Sequence, residues 1–322
     1  MKKLVCSIAF ISVRSIYCVI LIISFPFYVR TQKMSVRIYT TKDGLPSTYV
    51  YGALEDKLGY LWVGSPYGLS RFDGKHFTNY GLTDGLPDVR AYGGYMDGRF
   101  RLWAGTSRGT VELKGNRFIN YPSSDSLSQL LQTGEDPIWS LTSAGVYQFN
   151  FNKWQKIKLY PGYENHACRK IVETNEGLYI NYGDLLVLRK PNDTYIIIGK
   201  LKAPGYYYNS LSMSEGQIFV STLDGIYEIR DHQLVKMPGV LGKLKGIYSF
   251  FFDSKKRFWV AKDDMGIQFI PEGDTSHFIP VIKPSIDFIP GAIIEDNRGN
   301  IWAGSGRGLI RISEMEFKIF DV

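Results

Sequence analysis

The sequence predicts an all-β chain closed into a seven-bladed β-propeller of four-stranded antiparallel blades. The first observation is a recurring phrase: Leu61-Trp62-Val63-Gly64-Ser65, Leu102-Trp103-Ala104-Gly105-Thr106 and Ile301-Trp302-Ala303-Gly304-Ser305. The second is its period. Weaker copies place the aromatic at Trp139, Tyr179, Phe219 and Trp259, so seven slots span 240 residues in six intervals, 40 residues on average. Five of the six tryptophans fill this slot and only Trp154 does not, which makes chance a poor explanation. The third is composition: 33 Gly, 22 Tyr and 19 Phe in 322 residues suit short strands joined by tight turns. A period of about 40 residues holding four strands is the mark of a propeller blade.

Residues 1–33 are expected to be an export signal or an uncleaved membrane anchor. Met1-Lys2-Lys3 starts a positive segment, and two apolar runs follow, Leu4–Val13 and Ile16–Val29. The second has the length of a signal core and is short for a membrane span. Either reading puts the chain from about Gln32 onward outside the cytoplasm, in the periplasm or cell envelope. Residues 34–322 are expected to form the propeller.

Val36–Thr40 reads as an outer strand, as does Phe317-Lys318-Ile319-Phe320. One of the two closes the ring beside the last blade, and the sequence leaves open which. The first full unit shows the pattern that the others repeat. Tyr49–Glu55 alternates as a strand, Asp56-Lys57-Leu58-Gly59 turns, Tyr60–Gly64 is the second strand, and Ser65–Gly68 turns into Leu69–Phe72. Asp73-Gly74 is a hairpin signal leading to His76–Tyr80. One such sheet cannot bury both faces alone, so the slot aromatics are expected to wedge between blades. The small residue two positions on would permit close backbone approach. Asp43–Pro46 and Asp84–Pro87 read as turn formers, because they lack the alternating oxygens of a calcium loop.

Several function classes are disfavoured. The formal charge of +7 resides mainly in residues 1–33, which carry five bases and no acid; the remaining 33 bases face 31 acids. No basic stripe is left for nucleic acid. Cys6 and Cys18 lie in the leader, so Cys168 has no disulfide partner and reads as a buried strand residue. His76, His166, His232 and His277 show no metal-ligand spacing, and neither a G-x-S-x-G nor a P-loop is present. No cofactor, metal or catalytic residue is expected.

Tyr39-Thr40-Thr41-Lys42-Asp43-Gly44-Leu45-Pro46-Ser47, followed by Leu54-Glu55-Asp56, Leu61-Trp62-Val63-Gly64 and Gly68-Leu69-Ser70-Arg71-Phe72-Asp73-Gly74, resembles the two-component regulator propeller repeat. The resemblance extends over residues 36–322. It is strong in units one, two and seven, moderate in six and weak in three to five, where Asn181 stands in a small-residue position. It implies the periplasmic sensor propeller of hybrid sensor histidine kinases, several of which respond to oligosaccharides. Such sensors usually join two propellers to a β-sandwich, a membrane helix and a kinase. This chain holds one propeller's worth of repeats and no kinase box, so it is expected to be a fragment, a truncated gene or a free-standing propeller. Kinase activity is not carried over. Membrane attachment would run through the N-terminal segment or a missing C-terminal part.

Propellers usually bind ligands at the mouth of the central channel. Two loops per blade face it: the one leading into the inner strand and the one joining strands two and three. Thirteen residues before each slot stand Tyr49, Arg90, Ser126, His166, Tyr206, Gly246 and Ile289; the second loop contributes Tyr67, Arg108, Ala144, Asp184, Asp224, Asp263 or Asp264, and Arg307. These positions differ from unit to unit, as one asymmetric site on a shared scaffold would. The candidate ligand-binding residues are Tyr49, Tyr67, Arg90, Arg108, His166, Tyr206, Tyr207, Asp224, Asp263 and Arg307. Aromatics with Arg and Asp suit oligosaccharides, whose ring faces stack while hydroxyls bond charged groups. A homodimer through propeller contacts is a further expectation. The alternatives are a carbohydrate- or protein-binding scaffold without signalling output and a propeller lyase using His166.

Overall fold

Each repeat folds into one antiparallel sheet whose strands run in sequence order from the channel outward. The computed structural model describes residues 34–315 apart from 123–128, 132–137, 143–144, 151–152, 165, 167, 202–210, 248 and 286–289. Residues 34–314 form one compact unit. Among the described residues, seven four-stranded sheets make seven blades, as the repeat count predicts. Blades 1 to 6 occupy residues 52–80, 91–121, 129–156, 170–200, 211–236 and 249–282.

The seventh blade answers the question left by the sequence. Its three C-terminal strands are Pro290–Glu295, Ile301–Ser305 and Gly308–Glu314, and its outer strand is the N-terminal Met34–Tyr39. That strand pairs antiparallel from Met34↔Glu314 to Tyr39↔Leu309. Phe317–Phe320 lies outside the described residues. Tyr39 is buried, stacks on Trp302 at 5.8 Å and meets Phe72 of blade 1 edge-on at 4.9 Å. The closing strand therefore also glues the last blade to the first.

All seven slot aromatics are buried. Each packs in a cluster with its own or a neighbouring blade; Trp62, for example, joins Leu86, Ala91, Leu102 and Ala104 of the next repeat. Four indoles share one polar device that the sequence reading had seen only as turn chemistry. Trp62, Trp103, Trp259 and Trp302 donate Nε1–H to Oδ2 of Asp56, Asp97, Asp253 and Asp296 at 2.8, 3.0, 2.7 and 2.8 Å. The other carboxylate oxygen accepts backbone N–H groups across the hairpin, such as Leu58 and Tyr60 at Asp56. One acid six residues before the indole thus satisfies a buried donor and folds the turn.

The small residue after the slot does what its size suggests. A Cβ on Gly64 would sit 2.6 Å from the Ala91 carbonyl oxygen, and one on Gly304 would sit 2.6 Å from the Val50 carbonyl oxygen, both in the next blade. Gly304→Val is therefore expected to force blades 7 and 1 apart and to destabilise the ring by about 1–3 kcal/mol, read as a lower midpoint in urea. A midpoint unchanged from the parent would contradict the close approach.

A second inter-blade contact runs along the face opposite the mouth. Glu55 ends the inner strand of blade 1 and accepts the Asn297 N–H of blade 7 at 2.6 Å. Glu295 ends that of blade 7 and accepts the Ser254 N–H and hydroxyl of blade 6 at 2.6 and 2.7 Å. Glu173, in blade 4, reaches back to the Trp139 indole of blade 3 at 3.2 Å.

Blades 4 and 5 break the register assumed from sequence. Trp62 pairs with Leu54 and Trp302 with Ile294, eight residues apart, but Tyr179 pairs with Val172 and Phe219 with Ser212, seven apart. The hairpin between their first two strands is one residue shorter. Thr174 and Ser214 stand where other blades have the indole-binding Asp, and Tyr179 and Phe219 have no indole N–H to satisfy. An offset counted back from the slot therefore slips by one across this hairpin in blades 4 and 5; Tyr206 and Tyr207 lie outside the described residues.

The turn reading of the Asp-Gly-Leu-Pro motifs agrees with their geometry. Asp43 Oδ2 accepts the Thr40 N–H at 2.8 Å, Asp84 Oδ2 accepts the Gly81 N–H at 2.8 Å, and Gly44 and Gly85 take φ of 107° and 100°. Only glycine adopts such a conformation without strain.

Candidate ligand-binding mouth

The hairpins joining strands two and three in blades 1, 2, 5 and 7 share one local solution. A Ser or Thr hydroxyl donates to the carbonyl of the Gly three residues on: Ser65 to Gly68 (3.0 Å), Thr106 to Gly109 (2.8 Å), Thr222 to Gly225 (2.9 Å) and Ser305 to Gly308 (2.8 Å). The same oxygens accept the backbone N–H of Tyr67, Arg108, Asp224 and Arg307 at 3.1–3.3 Å. The turn is rigid, and its tip residue projects a side chain outward. Tyr67, Arg108 and Arg307 are exposed; Asp224 is half-buried.

Blades 1 and 2 gather the largest share of the predicted residues. Tyr49 meets Tyr51 at 5.3 Å, and Tyr51 meets Tyr92 at 5.2 Å, so three rings form a strip across the two inner strands. Arg90 and Arg108 flank it and share Asp88, with nitrogens 4.0 and 3.6 Å from its carboxylate. The Arg90 backbone N–H also donates to Asp88 at 2.8 Å. That bond first, and the two guanidinium groups with it, hold the Asp88 carboxyl below the usual range. It stays ionised until the pH falls well into the acid region, so the pairing persists at neutral pH. Burial, with Tyr92 and Tyr49 adding, pushes the Tyr51 phenol up and keeps it a neutral hydroxyl.

A second aromatic group belongs to blade 4. His166 is exposed and packs on Tyr163 at 4.4 Å; Tyr163 meets Tyr182 at 4.8 Å and donates its hydroxyl to Asp184 Oδ2 at 3.1 Å. His166 thus joins Tyr163 and Tyr182 in one aromatic edge.

The other candidates stand apart. Asp224 accepts from the Thr222 hydroxyl at 2.7 Å and the Tyr227 hydroxyl at 3.1 Å, which uses its carboxylate locally. Arg307 Nη1 donates to Ser285 Oγ at 3.3 Å. Asp263 is exposed on its turn, beside Asp264, which Lys262 binds at 2.6 Å. Tyr206 and Tyr207 lie outside the described residues.

Sequence reasoning missed Tyr51, Tyr92, Tyr163 and Asp88. A signal existed for the first two: tyrosine stands eleven residues before the slot in units one, two and six (Tyr51, Tyr92, Tyr248). Tyr163 carried none, because the loop that holds it, 157–169, is longer than the matching loop 81–90 between blades 1 and 2.

A repeat-built propeller with one differentiated sector at its mouth is the class of protein that fold and rim define. Residues 44–67 match the two component regulator propeller model. No curated protein matches the chain in sequence. Among solved structures, it is similar to the extracellular domain assigned to a hybrid two component system of B. thetaiotaomicron, with a TM-score of 0.72 and 18% identity over 87% of this chain and 42% of that one. A second such domain from the same organism gives 0.69 and 19% over 89% and 40%. The chain thus spans about two fifths of their length. Virginiamycin B lyase from Staphylococcus aureus gives 0.67 and 14% over 88% and 99%. At these identities the likeness is one of fold. The chain is a β-propeller that carries the two component regulator propeller repeat.

Proposed function

We propose that this propeller is the extracytoplasmic ligand-sensing domain of a two-component system of the hybrid histidine kinase type, and that its mouth takes an oligosaccharide. The observation that carries the reading is the strip Tyr49–Tyr51–Tyr92 beside the Arg90–Asp88–Arg108 group. Tyrosine faces stack on the apolar faces of pyranose rings, and a guanidinium fork bonds vicinal hydroxyls. The repeat match and the sensor domains of similar fold support the signalling half of the proposal. In this reading residues 1–33 direct export or anchor the chain, and the chain binds its ligand without turning it over. Ligand held across the loops of blades 1 and 2 would favour one arrangement of attached segments over another, and so bias a partner.

The test is a thermal-shift screen of the full chain against glycan classes. A sugar at about a hundred times its Kd stabilises by about 2.7 kcal/mol, a rise of about 4–5 °C for a domain of this size. Tyr51→Ala and Tyr92→Ala should each abolish the shift while leaving the unliganded midpoint nearly unchanged. If no glycan class raises the midpoint, the oligosaccharide reading fails.

A further inference from the structure

On the face opposite the mouth, residues of blades 4 and 5 line a cleft of about 540 Å³ above their shared core. That volume falls within the roughly 300–1,000 Å³ of small-molecule sites. Its existence follows from the departures already described. Tyr179 fills the slot in place of a larger indole. Met213 stands where Glu55 and Glu295 close neighbouring blades, so that contact cannot form between blades 4 and 5.

The cleft has two unlike halves. Ile218, Ile229 and Met213 form an apolar wall, and Met213 is 52% exposed. Opposite stand the carboxylates of Glu173, Glu176 and Asp231, faced by the His232 imidazole and, from beside the cleft, the Lys190 ammonium; Glu173 also accepts the Trp139 indole N–H. Glu176 Oε2 lies 2.9 Å from His232 Nε2, 3.9 Å from Lys190 Nζ and 3.5 Å from the Tyr179 hydroxyl. Asp231 sits at the turn tip with φ of 48°. The polar half is rich in acceptors and negative, while the wall beside it offers only dispersion contacts.

We infer that this cleft is a second binding site, separate from the mouth, for a small organic cation: a primary ammonium on an alkyl or aryl body. The ammonium has three donors and no acceptor, which matches a carboxylate-lined half. The body covers the Met213–Ile218–Ile229 wall and removes it from water.

The test is calorimetric titration of the full chain with phenethylamine, its neutral isostere 2-phenylethanol and the acid 3-phenylpropionate. Saturable binding of the amine is expected, with the alcohol weaker and the acid inert. Asp231→Asn keeps a residue that tolerates the left-handed backbone and should weaken the amine roughly three- to tenfold. Met213→Trp fills the cleft and should abolish binding. Equal affinity for amine and alcohol, amine binding unchanged in both variants, or no amine binding in the millimolar range would each overturn the inference. The alcohol comparison and Asp231→Asn decide the matter even if Met213→Trp does not fold. None of these outcomes bears on sugar binding at the mouth.

Discussion

Trp259→Ala is expected to cost about 3–5 kcal/mol, the usual loss for emptying a large aromatic site. The indole is fully buried, stacks on Phe269 at 4.8 Å and lies beneath the Arg257 guanidinium at 5.3 Å. Its Nε1–H donates at 2.7 Å to Asp253, whose carboxylate also binds Arg257. Truncation therefore opens a cavity between blades and leaves a buried carboxylate one donor short. A domain with a net stability of about 5–15 kcal/mol loses a large fraction of it. Trp259→Phe separates the two effects: most of the packing stays, only the indole donor is lost, and the cost should be about 1–3 kcal/mol. Scanning calorimetry of both variants reads the result. An alanine variant melting within a degree of the parent would mean that the slot aromatics do not hold the blades together.

Removal of residues 34–39 should be more damaging. These residues supply the whole outer strand of blade 7, six paired positions long. Without them Gly308–Glu314 becomes an open edge, ready to pair with another chain. Tyr39 also leaves the contact between Trp302 and Phe72. The expected product is oligomeric or aggregated protein by light scattering, with no cooperative melting transition of a monomer. Tyr39→Ala alone should cost about 3–5 kcal/mol. A truncated chain that stays monomeric and melts near the parent would mean that another segment, such as Phe317–Phe320, closes the ring.

The architecture was legible because it repeats. The blade count, the burial of the slot aromatics and the close approach at Gly64 and Gly304 each follow from a local pattern seen several times, so no single unit had to be read correctly. The candidate site was less legible for the same reason. A site is the part that does not repeat. The hairpin-tip residues Tyr67, Arg108, Asp224 and Arg307 could be found because their turn is the same in blades 1, 2, 5 and 7. The rim of blades 4 and 5 is harder to read by a fixed offset from the slot, because a hairpin one residue shorter leaves only a faint trace in the spacing. The Asp–Trp bond was also within reach, since Asp stands six residues before Trp in four units. It was read as turn chemistry because one face of that carboxylate does serve the turn.

Local sequence determined what local physics controls: which segments are strands, where glycine must turn, how many sheets the chain can build. Tertiary structure alone decided which end of the chain completes the seventh blade, since two terminal segments have equal strand character and only the geometry of closure separates them. It alone also set Tyr51 of blade 1 against Tyr92 of blade 2 and brought Glu176 of blade 4 to His232 of blade 5. Those contacts join residues far apart in the chain, and no pattern along it records which side chains face each other across a gap between blades.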